Sequence, residues 1–198
     1  MRILHYTLGF EPHRSGGLVK YATDLMETEV SIGFEVTALY PGNFDFSVFN
    51  IKKSEQSRIQ NEKDRNGIRV FRLTNALPVP LMYGIKRPNC FMRTREIKGF
   101  EEFFNSVRPD VFHIHTLMGL PIELLQLLKS KNVRIVYTTH DYFGLCPKVN
   151  FIDNKGMACN SASAMKCMKC CSDSPSQIFL KLRNSKLTVS LKKLIQWM

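Results

Sequence analysis

His140 and Asp141 directly follow the run Val133 to Thr139, whose β-branched and aromatic residues predict a buried parallel strand. Ligands of open α/β sheets sit just beyond the carboxyl ends of such strands. A histidine there can polarise a leaving group or hold a substrate hydroxyl, because its ordinary pKa of about 6.5 lies close to working pH. His140 is the candidate catalytic group, with Asp141 beside it as a binding group. The plainer reading is that both cap the strand and tie the loop to the sheet. His113 and His115 alternate along an earlier predicted strand and so share one of its faces. His115 stands at the carboxyl end, where it could reach a cleft or simply be buried and satisfied. His113 reads as a buried, satisfied histidine.

Five of the six cysteines follow in the next segment. Cys146, Cys159, Cys167 and Cys170 have the spacing C-x12-C-x7-C-x2-C, and the close pair is what tetrahedral zinc commonly uses. A structural four-thiolate zinc is one reading, with Cys171 as a substitute ligand. Reduced thiols in a loop, or a disulfide in an oxidised chain, are the others. Cys90 lies apart from this group.

A third chemical feature is Ser15-Gly16-Gly17, between the first predicted strand (2–8) and the first predicted helix. Glycines let a backbone approach a ligand closely, and amides at a helix start favour phosphate. The pair could equally make a tight turn. It is not the three-glycine dinucleotide fingerprint, and no acidic residue closes the second strand to hold a ribose.

These groups need a frame to position them. Val19, Ala22, Met26 and Val30 recur at three and four and predict a helix ended by Gly33. Strands are expected at 34–40, 68–73, 110–115 and 133–139. Ile97, Phe100, Phe104 and Val107 suggest a helix, and a further one spans about 119–131. Residues 43–66 carry a weak signal, and 74–90, with three prolines, read as loop. The alternation predicts a Rossmann-like, doubly wound α/β domain with a mostly parallel sheet. A cysteine-rich loop is inserted at about 141–175, and a basic amphipathic helix is expected over about 177–198.

The chain has 198 residues, 44% of them hydrophobic and 23% charged, enough to bury one large core. No apolar run is long enough for a membrane span, and the start reads as a strand and not a signal peptide. A cytosolic location is expected. The net charge of +11 suits an anionic partner such as a phosphorylated substrate or an anionic lipid surface. Nucleic acid is not expected, since no zinc-finger histidine pair or RNA-binding aromatic signature is present. The last helix reads as a solvated face, with peripheral contact at the inner face of the membrane as the alternative.

Met1-Arg2-Ile3-Leu4-His5, Ser15-Gly16-Gly17, Arg108-Pro109-Asp110-Val111 leading to His113-Ile114-His115, and Thr138-Thr139-His140-Asp141-Tyr142 together resemble the N-terminal domain of family 4 glycosyltransferases. The segment from Leu145-Cys146-Pro147 to Cys170 resembles a cysteine-bearing bacterial subgroup. The resemblance implies the acceptor-side half of a GT-B fold. In it Gly16 and Gly17 would lie beside the donor phosphates, and His140 near the transferred sugar and the acceptor. It implies retaining transfer from a nucleotide-sugar without a catalytic metal. The partners would be that donor and a glycan or lipid-linked acceptor.

The donor-binding domain of that fold is not recognisable within residues 1–198. The expectation is a single, C-terminally incomplete domain that is inactive alone, in bacterial surface-polysaccharide assembly, with a separate donor-domain chain as a candidate partner. The competing reading is a truncated, non-catalytic module that binds an acceptor or a partner chain.

Overall fold

A computed structural model of the chain describes residues 1–42, 56–91 and 93–183. In chain order the elements are β1 (Arg2–Tyr6), α1 (Gly17–Ser31), β2 (Glu35–Pro41), β3 (Gln56–Asn61), β4 (Arg69–Thr74), β5 (Glu96–Lys98), α2 (Phe100–Val107), β6 (Val111–Ile114), α3 (Ile122–Ser130), β7 (Arg134–Tyr137), α4 (Ala164–Cys170) and α5 (Gln177–Arg183). The described strands form one seven-stranded sheet in the order β5-β3-β4-β2-β1-β6-β7. All its pairings are parallel except β3 against β4.

Successive strands run outward from β1 through β2 to β4, and the chain then returns to add β6 and β7 on the other side of β1. The order therefore reverses between β1 and β6. Crevices for ligands open at the carboxyl ends of strands at such a reversal.

Alternation of side chains splits the sheet into two buried faces. On one, Leu4, Tyr6, Leu39, Phe71, Phe112 and Ile114 pack with Phe100, Phe103 and Val107 of α2 and Leu124 and Leu128 of α3. On the other, Val36, Ala38 and Val70 meet Ala22 and Met26 of α1. Gly33, at φ 89°, ends α1 in a conformation that side chains disfavour, donating its N–H to the Val30 carbonyl.

Several expectations shift. β3 (Gln-Ser-Arg-Ile-Gln-Asn) lies in the segment whose polarity hid it, and Ile97 belongs to the three-residue β5 instead of the helix behind it. The strand expected to be buried before His140 is parallel but sits at the sheet edge, with Ile135 38% and Tyr137 39% exposed. The cysteine segment is not all loop, since α4 runs through it. The final basic helix is described only as α5. Its remaining positions, including Leu187, Leu191 and Leu194, lie outside the described residues.

Candidate active site

The register of β1 against β6 pairs His5 with His113 and Tyr6 with Ile114. His115, two residues beyond His113, leans back over the same face, with its backbone N–H on the Tyr6 carbonyl. Three imidazoles are thus brought together at the carboxyl end of the reversal. The His113 and His115 ring centroids are 4.2 Å apart, and the His5 ring stacks near His115 at 5.3 Å. On the neighbouring strand's exit, the Thr138 hydroxyl is 2.8 Å from His113 Nε2. His140 follows, with Nε2 3.3 Å from His115 Nδ1.

Helix α1 closes this group from above. Glu29 Oε2 lies 2.6 Å from His5 Nε2, and His5 Nδ1 lies 3.0 Å from His115 Nε2. The Tyr21 ring stands edge-on to His140 at 4.9 Å. Gly17 and Tyr21 are four residues apart on one helix face, roughly 6 Å along the axis. The glycine pair and His140 are therefore neighbours across the same end of the sheet.

Gly16 has φ 115° and ψ 172°, a conformation left to glycine, and it begins α1 with no side-chain cap and no acid in the first turn. A Cβ at Gly16 or Gly17 would meet nothing within 4 Å. The space beside them is open, and a helix start is where backbone amides favour an anion.

Burial sets the electrostatics. His115 is 1% exposed, and its pKa falls to about 3, from desolvation first and then from the neighbouring His113, His5 and His140. His113 is lowered as well, by desolvation first and then by His5, with Glu29 opposing and His140 adding a smaller push in the same direction. His140, half-buried, is lowered by desolvation and partly restored by Asp141. A neutral His140 can take a proton or accept a hydroxyl hydrogen. Asp141 turns away from this chemistry, its Oδ1 accepting the Phe143 N–H at 2.8 Å in a turn that starts the next loop.

Thr7, fully buried at the exit of β1, has a hydroxyl with no hydrogen-bond partner among the described residues. Thr7, His5, Tyr21 and Glu29 are the candidate site residues that sequence reasoning passed over. No local spacing joins Glu29 to His5; only the packing of α1 over β1 does.

The cysteines lie elsewhere. Cys167 and Cys170 share a face of α4, which Ser163 caps by accepting the Lys166 N–H. Cys146 and Cys159 belong to a loop held by backbone bonds, including Cys146 N–H to the Tyr142 carbonyl and an antiparallel bridge between Ile152 and Ala158. Cys171 is buried, and the other four are half-exposed free thiols. Among the described residues, the one group of three or more ligand atoms within 4.8 Å of one another is His5, His113 and His115, not the cysteines. The His5 and His115 nitrogens are already committed to each other, to Glu29 and to His140.

Residues 15–158 match the family described as Glycosyltransferase Family 4. The chain belongs to that family. The sheet is accordingly the Rossmann-like half of a GT-B fold, and the matched segment contains Gly16, Gly17, His115, His140 and Asp141. Neither a curated protein nor a solved structure matches the chain. Among the described residues of this glycosyltransferase-family domain, no helix is long and apolar enough to cross a membrane.

The depressed histidines make a prediction about acid. Above about pH 6.5 an unfolded histidine is neutral, as His113 and His115 are when folded, so they add no pH dependence. Below it the unfolded chain binds protons that the folded chain refuses, so stability falls as pH drops towards the folded values. Urea unfolding between about pH 6.5 and 4.5 should lose up to about 1.4 kcal/mol per pH unit for each refusing histidine. His115→Gln should flatten that slope by about one proton. An unchanged slope would contradict the buried, neutral state of His115.

Proposed function

We propose that the domain is the acceptor side of a retaining glycosyltransferase that moves a sugar from a nucleotide-sugar to a glycan or lipid-linked acceptor in bacterial surface-polysaccharide assembly. The observation that carries this reading is the meeting, in a chain of Glycosyltransferase Family 4, of His140, His115 and the open Gly16-Gly17 helix start at the carboxyl edge where strand order reverses. In this reading the α1 amides receive the anionic end of the donor. His140, lowered in pKa and half-exposed, holds an acceptor or sugar hydroxyl. Asp141 aids chiefly by fixing the loop that follows. No catalytic metal is invoked, because charge at the leaving diphosphate would be met by amides and by the donor-binding half.

His140→Ala, in protein supplied with a donor-binding half, should lower the rate of transfer by roughly 10²-fold, as for loss of a positioned polar group, while leaving the melting curve unchanged. Radiolabelled UDP- and GDP-sugars with lipid-linked acceptors provide the assay. Wild-type turnover by the variant would return His140 to a loop-tying role.

For the cysteines we propose a structural zinc held by Cys146, Cys159, Cys167 and Cys170. The C-x2-C pair on one face of α4 supports it, and all four residues are half-exposed free thiols. Binding would require the loop and α4 to draw together and Cys159 to give up its contact with the Ser161 carbonyl. A closed four-thiolate site is structural, and its binding energy would be added to folding. Elemental analysis of chelator-free protein should find about one zinc per chain, as a closed site requires. Freely titrating thiols without zinc would refute it.

A further inference from the structure

Four side chains from four segments form a single line: Glu29 on α1, His5 on β1, His115 beyond β6 and His140 beyond β7. Its contacts are 2.6 Å from Glu29 Oε2 to His5 Nε2, 3.0 Å from His5 Nδ1 to His115 Nε2, and 3.3 Å from His115 Nδ1 to His140 Nε2. Each ring uses its Nε2 on the side of Glu29, and His5 and His115 use their Nδ1 on the side of His140. His140 Nδ1 is the nitrogen left at the end.

A neutral imidazole carries one N–H and one lone pair, and the bond made by one nitrogen decides the role of the other. A carboxylate only accepts, so His5 Nε2 must be the donor to Glu29. His5 Nδ1 then carries the lone pair and requires the N–H of His115 at Nε2. His115 Nδ1 in turn requires the N–H of His140 at Nε2. The parity runs through to the end, where His140 Nδ1 is a lone pair. A neutral His5 gives this direction, and an imidazolium there would reverse every bond beyond it.

We propose that Glu29, His5 and His115 are positioning residues that fix the tautomer of His140, so that it presents an unprotonated Nδ1 to the cleft as an acceptor for a hydroxyl hydrogen. The two buried rings thereby act on a half-exposed one that Glu29 does not touch. This deepens the reading of His140 given above and rests on it for the ligand, a sugar hydroxyl. The direction of the line is a property of the free domain.

It can therefore be tested without transfer. Long-range 1H–15N correlation on the 15N-histidine-labelled chain, at about pH 8 and so above the ordinary histidine range, reads the tautomer of each ring. In the wild type, His5, His115 and His140 should each be protonated at Nε2 alone. Glu29→Gln replaces a pure acceptor by a group that can donate or accept. A second, Nδ1-protonated form should then appear at His5, His115 and His140 together. Nδ1 protonation of His115 or His140 in the wild type would overturn the proposal, and so would a folded Glu29→Gln chain in which only His5 responds. If that variant does not fold, the wild-type tautomers of His115 and His140 still decide. Should His140→Ala leave transfer intact while these tautomers hold, the functional reading fails and the line stands.

Discussion

The pairing of β1 with β6 is the constraint from which the candidate site follows. It puts His5 opposite His113 and carries His115 onto the same face, where His5 and His115 are shut off from water and His113 is half-buried. A buried imidazole without a partner costs free energy of the order of a lost hydrogen bond, about 1–3 kcal/mol. These rings meet the cost mutually, with Glu29 and Thr138 at the margins. The same burial that demands partners also drives the His115 pKa down. Geometry, satisfaction and protonation state are thus three results of one register.

Helix α1 serves both ends of this arrangement. Its start, at Gly16, leaves amides open to solvent, while its later turns bring Tyr21 to His140 and Glu29 to His5. Ala22 and Met26, fully buried against Val36, Ala38 and Val70, lock the helix at that rotation. A shift of one helical position would turn Glu29 by about 100° and break its contact with His5. The apolar stripe is what allows a helix-start amide group and an imidazole line to share one edge of the sheet.

Much of the frame was legible because parallel strands and amphipathic helices announce themselves. The i, i+3, i+4 rhythm of Val19, Ala22 and Met26 gave α1, and the apolar run ending at His115 gave β6. β3 and β5 were not legible, since Gln-Ser-Arg-Ile-Gln-Asn and Glu-Ile-Lys carry little apolar signal and owe their pairing to β4 and to each other. His115 and His140 could be proposed from their position at strand ends. The His5–Glu29 contact could not, because it exists only once α1 is laid over β1. The cysteine spacing was readable as possible metal chemistry, yet spacing alone does not say whether sulfurs converge, and here a helix and a bonded loop hold them.

The central claim is that the edge between β1 and β6 receives a sugar hydroxyl at His140. Its most direct test is a crystal structure of the domain with a bound oligosaccharide acceptor. The account predicts a hydroxyl oxygen within hydrogen-bond reach of His140 Nδ1, about 2.6–3.2 Å, beside Tyr21 and the start of α1. A sugar bound elsewhere on the domain, with His140 Nδ1 turned into a bond with the protein, would contradict it.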